Sequence, residues 1–96
     1  MKIEILSGAD EDLLDGYRFY EQQATGLGGY FLDSLYSDID SLLVFAGVHR
    51  VVYGLYRCLS KRFPFAVYYS IDSQIIRIHA VLDCRSKPSR IKKRLK

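Results

Sequence analysis

The apolar residues of this 96-residue chain change their spacing once, and that change constrains the fold more than any other feature. Through the first half the spacing is helical. Leu13, Tyr17, Tyr20 and Ala24 recur at i, i+4, i+7 and i+11, and Phe31, Leu35, Ile39, Leu42 and Ala46 repeat the pattern. Each set makes one apolar stripe along a helix. From Val48 onward the period is two, that of a strand whose side chains alternate between faces.

Boundaries follow from local chemistry. Lys2 to Leu6 alternates around Ile3 and Ile5 and predicts a short strand. Ser7 is placed to cap a helix whose first turn is filled by acids. That helix runs to about Ala24, where Gly26, Gly28 and Gly29 break it. The second helix ends at Gly47, and the short glycine linker makes the two an antiparallel hairpin. Val51–Ser60, Phe65–Ile71 and Ile75–Asp83 predict three meander strands, joined by turns at Lys61–Pro64 and Asp72–Gln74. In the last strand Ile76, Ile78, Ala80 and Leu82 are expected to meet the helices, with Ile75, Arg77, His79 and Val81 facing away. Pro88 interrupts the tail, and residues 91–96 are either a basic helical turn or two or a loose end. The expectation is one α+β domain over residues 1–96: an N-terminal strand, then an antiparallel helical hairpin packed on one face of an antiparallel sheet, then a basic C-terminal tail.

Composition narrows the function classes. No apolar run approaches the ~20 residues that span a bilayer, so no membrane association is expected. Met1–Leu6 has no apolar stretch followed by a cleavage site, so no secretory signal is expected and the cytoplasm is the default compartment. Cys58 and Cys84 lie outside any C-x-x-C pair or zinc spacing, so they read as reduced thiols, and neither a metal nor a cofactor is expected. The net charge of +3 hides a polarity. Residues 1–40 carry nine acids and two bases, 2 − 9 = −7, while residues 41–96 carry two acids and twelve bases, 12 − 2 = +10. The second half should attract a polyanion or an acidic protein segment.

Three stretches carry a family resemblance. Ala9-Asp10-Glu11-Asp12-Leu13, Tyr20-Glu21-Gln22-Gln23 and Gly26-Leu27-Gly28 with Phe31 and Leu35 resemble the helical hairpin of the RelE/ParE superfamily. Phe63-Pro64-Phe65-Ala66-Val67-Tyr68-Tyr69 resembles its central strand, and Ile78 to Arg85 with Pro88 its last strand and exit. The resemblance spans about Ile3 to Pro88. It implies the toxin of a type II toxin–antitoxin pair, neutralised in a hetero-oligomer by a cognate acidic antitoxin. RelE-like members cut mRNA on the ribosome without a metal, whereas ParE-like members inhibit DNA gyrase. The resemblance therefore leaves two targets open, besides a degenerate member that only binds its partner.

Metal-free RNA cleavage needs a base for the 2′-hydroxyl, an acid for the leaving oxygen and cations for the phosphate. His79 titrates near neutral pH and is the expected acid–base candidate, with Arg77 on its strand face. The resemblance implies that Arg85 contacts phosphate and that Arg57 joins His79 and Arg85 as a catalytic residue. Lys61, Arg62, Arg77 and Lys87 are the expected nucleic-acid contacts, arginine suiting phosphate through its planar fork. The plain alternative for His79, Arg57 and Arg77 is an ordinary sheet-face residue. Tyr17, Tyr20 and Tyr36 fall at helical positions and are expected in the core. That leaves Tyr53, Tyr56, Tyr68 and Tyr69 as candidates for base stacking, with Tyr68 and Tyr69 on opposite faces. No aromatic residue follows Tyr69, where RelE-like enzymes carry a C-terminal tyrosine.

Overall fold

The computed structural model describes residues 1–96. In chain order the elements are β1 (Lys2–Ile5), α1 (Ser7–Gln23), α2 (Leu27–Asp40), α3 (Leu42–Phe45), β2 (Arg50–Val52), β3 (Leu55–Leu59), β4 (Phe65–Asp72), β5 (Ile75–Asp83) and α4 (Pro88–Leu95). The five strands form one sheet in the order β1-β5-β4-β3-β2. β2 to β5 are an antiparallel meander, but β1 lies parallel to β5, so the sheet is mixed and not wholly antiparallel. The helices carry the chain across the sheet from β1 at one edge to β2 at the other, and the meander brings it back to β5 beside β1.

The hairpin is closed by a carboxylate and two glycines. Glu21, near the end of α1, accepts the Gly26 N–H at 3.0 Å and the Gly28 N–H at 2.9 Å. It thereby satisfies amides at the start of α2 that have no helical partner. Gly26 adopts φ +90°, the left-handed region. Gly28 lets the helices touch, since a Cβ there would sit 2.7 Å from the Tyr17 carbonyl oxygen. Ser7 does not cap α1: Leu6 occupies the cap position, with no side-chain bond. The second helix also stops earlier than its stripe implies. α2 ends at Asp40, Ser41 donates its hydroxyl to the Asp38 carbonyl at 2.6 Å, and α3 follows as a separate turn.

The predicted Val51–Ser60 strand is two strands. Tyr53 and Gly54 have φ +53° and +82°, the signature of a tight hairpin turn, and fold β2 back on β3. Tyr53-Gly54 carries only half of the usual Asn-Gly signal, which is why the turn is hard to read from the sequence.

Two apolar clusters lie on opposite faces of the sheet. The larger packs Leu13, Tyr20, Phe31, Leu35 and Ile39 of the hairpin on Val67, Tyr69, Ile76, Ile78 and Val81. The smaller joins Ala66, Tyr68 and Ala80 to Leu82, Ile91 and Leu95. This corrects the expected alternation of β5. Tyr68 pairs with Ala80 and Tyr69 with Ile78, so His79 is an extra, unpaired residue, a β-bulge. Beyond it the alternation inverts. Val81 enters the hairpin core, and Ala80 and Leu82 turn to the other face. Tyr36, expected in the core, is 40% exposed.

Gly28→Ala should test the hairpin contact. Alanine favours a helix by about 1 kcal/mol, but overpacking costs about 1–3 kcal/mol. Net destabilisation is therefore expected, read as a lower urea midpoint than wild type. A raised midpoint would mean that the helices are not in contact there.

Candidate interaction surfaces

The residues expected to act on a phosphate do not converge. Arg77 lies on the face away from the hairpin, since its neighbours Ile76 and Ile78 enter the hairpin core. Its Nε donates to Glu4 at 3.3 Å and its Nη1 to Asp72 at 2.9 Å. Arg57 shares that face, opposite Tyr68, and donates to the Cys84 sulfur at 3.8 Å. Burial works against the Arg57 charge, but Cys84 and Tyr68 outweigh it and its pKa is raised. His79, at the bulge, is hydrogen-bonded through Nε2 to the Ser70 hydroxyl at 2.8 Å. Burial, and then the nearby Arg77 charge, hold its pKa below the usual histidine value.

Arg85 stands elsewhere. It leaves the end of β5 beside Tyr20 of α1 and forks onto both oxygens of Asp83, at 3.0 and 2.7 Å. That bond, ahead of the opposing effect of burial, keeps the Asp83 carboxyl below its ordinary pKa. Lys61 and Arg62 lie in the β3–β4 loop, which Phe63 draws against the hairpin. The Phe63 ring is 4.9 Å from Tyr20 and 5.1 Å from Phe31, and the Arg62 guanidinium stands 6.0 Å from the Tyr30 ring centre. Lys87 is the exposed N-cap of α4. Arg57, Arg77 and His79 thus share a face, while Arg85 and Arg62 lie against the hairpin. Tyr68 and Tyr69 point to opposite faces as expected, yet at 2% and 0% exposure neither can stack on a base.

The sheet face away from the hairpin is partly covered. α4 lays Ile91 and Leu95 over the smaller apolar cluster. Arg94 grips Asp12 of α1 through both terminal nitrogens, at 2.7 Å each. What remains is a groove of about 440 Å³ lined by Leu82, Ser86, Arg90, Ile91, Lys93 and Arg94.

The largest apolar exposure lies at the opposite edge of the sheet. Leu43, Val44, Phe45, Val48, Val51 and Tyr53 are all exposed, Val44 and Val48 by three quarters. Single exposed apolar residues need no explanation, but a concentrated run does. The segment is held in place from beneath. The Tyr69 hydroxyl accepts the Gly47 N–H at 2.9 Å and is bonded to His49 Nδ1. Its outer strand, β2, is one of the two edge strands of the sheet. The sequence does carry a signal for this surface: no acid occurs between Ser41 and Ile71, a stretch holding Arg50, Arg57, Lys61 and Arg62.

Because its pKa is lowered in the fold, neutral His79 is the folded state's preferred form. Its contribution to stability is complete above the ordinary value of 6.5. It falls as pH drops below that, where the unfolded chain binds the proton first. Wild type should therefore lose more stability than His79→Gln on acidification through this window, by urea midpoints at each pH. An NMR titration midpoint for His79 above 6.5 would contradict the assignment.

No family model and no curated protein sequence matches the chain. A solved structure does. It is described as the chromosomal ParDE TA system from P. aeruginosa, is 21% identical, and has a TM-score of 0.74 over 84% of this chain and 92% of that one. At this identity the likeness speaks for architecture, and the architecture of this chain is the RelE/ParE-like fold.

Proposed function

We propose that this chain is the toxin of a type II toxin–antitoxin pair, held in a cytoplasmic hetero-complex by an acidic antitoxin, and that it blocks DNA gyrase rather than cutting mRNA. The fold shared with a chain from a toxin–antitoxin system supports the first part. The observation that carries the second is the disposition of the cations. A metal-free nuclease must aim several charges at one phosphate. Arg77 is held by Glu4 and Asp72, Arg85 by Asp83 on another side of the molecule, and the strand tyrosines Tyr68 and Tyr69 are buried.

Inhibition by contact needs an exposed, partly apolar surface, and Leu43 to Tyr53 offers one. An antitoxin with acids flanking apolar anchors would suit the acid-free stretch around it, and covering that surface would neutralise the toxin. The nuclease alternative draws on Arg57, Arg77 and His79 sharing a face. It requires that ligand binding release Arg77 from its two carboxylates.

Purified protein should block gyrase supercoiling and trap DNA breaks while leaving mRNA in the ribosomal A site intact. Unaffected supercoiling, with cleavage that His79→Ala or Arg57→Ala abolishes, would establish the alternative. Phe45→Asp should weaken capture by the acidic antitoxin by about tenfold or more with the circular dichroism unchanged, the scale of losing one apolar anchor.

A further inference from the structure

Helix α4 has a property that the Leu43–Tyr53 surface does not explain. It and its flanks carry Lys87, Arg90, Lys92, Lys93, Arg94 and Lys96, and no acid follows Asp83. Arg94 alone of these is ion-paired, to Asp12. Like charges three and four residues apart repel, and eight residues are too few for a helix to be stable alone. The structure holds α4 in place from one side. Ile91 and Leu95, one turn apart, pack on the sheet, and Arg94 clamps to α1. The chain thus anchors a helix whose remaining cations face water.

The choice of anchors also limits the ligand. Ile91 and Leu95 of α4 pack toward the sheet, so its outer face has charge, and the only apolar side chains lining the adjoining groove are Leu82 and Ile91. A protein partner would need buried anchors for affinity, and a membrane would need an apolar face to enter the lipid. A phosphate chain needs neither, because its binding is driven by release of condensed counterions. Along the ~12 Å of an eight-residue helix a nucleic-acid duplex presents about seven charges. We propose that α4 is a nucleic-acid backbone site that takes duplex phosphates through Arg90, Lys92, Lys93 and Lys96 without reading sequence. The site uses none of the residues of the Leu43–Tyr53 surface and stands whether or not the chain inhibits gyrase.

The test is fluorescence anisotropy with the full chain and a labelled duplex of about two helical turns, as DNA and as RNA, over a salt series from about 50 mM. Binding should be independent of sequence, with a log–log salt slope of about −3 to −4 if four cations engage. The R90Q/K92Q/K93Q/K96Q variant changes only exposed, unpaired side chains. It should keep its circular dichroism, lose about tenfold or more in affinity and flatten the slope. A preference between DNA and RNA would name the source of the phosphates, and binding to either supports the site. Three outcomes would overturn it: no binding to either duplex at low salt, a quadruple variant that binds like wild type, or capture by anionic phospholipid vesicles with no duplex bound.

Discussion

The Asp12 carboxylate makes two kinds of bond at once. It accepts the backbone N–H of Val81 at 2.9 Å and both terminal nitrogens of Arg94 at 2.7 Å. With its side chain only 12% exposed, it has lost most of its water, and such a charge is tolerable only when its partners are in place. Those partners come from β5 and α4, so one acid on α1 ties together the hairpin, the sheet and the helix on the far face. Removing it would leave a buried amide without a partner and the α4 clamp without its anion, and α4 would keep only Ile91 and Leu95.

The bulge at His79 makes this arrangement possible. Without the bulge, Val81 would face away from α1, and Ala80 and Leu82 would continue the hairpin side of the strand. With it, one strand serves two apolar clusters, the larger under α1 and α2 and the smaller under α4. The bulge also places His79 beside Ser70 and near Arg77, where burial and charge disfavour its protonated form. Its lowered pKa follows from the sheet irregularity and needs no catalytic role.

The charge polarity of the sequence is partly spent inside the molecule. Arg77 reaches Glu4 and Asp72, Arg94 reaches Asp12, and Arg85 reaches Asp83. The cations left free of ion pairs lie mainly on the outer strands, the β3–β4 loop and the outer side of α4. The apolar exposure is concentrated instead in the segment from α3 to the β2–β3 turn. One end of the fold thus offers apolar anchors and the other offers bare charge, and these suit ligands of different chemistry.

The sequence by itself determined the helical hairpin, the central strands and the polarity of charge. These rest on local periodicity and on Gly26 and Gly28, and each pattern is complete within a few turns. It also marked the meander turns at Lys61–Pro64 and Asp72–Gln74, and it showed that Tyr68 and Tyr69 must face opposite ways. Only the tertiary structure decided the parallel pairing of β1, the Tyr53-Gly54 turn, the bulge at His79 and the docking of α4. None of these has a local signature: a strand's partner, an unpaired residue and a helix's landing site all depend on distant chain. The same is true of charge. Whether Arg77 or Arg94 is free for a phosphate cannot be read from its neighbours in sequence alone, because the carboxylates that neutralise them are brought there by folding. Glu4 lies 73 residues from Arg77, and Asp12 lies 82 from Arg94.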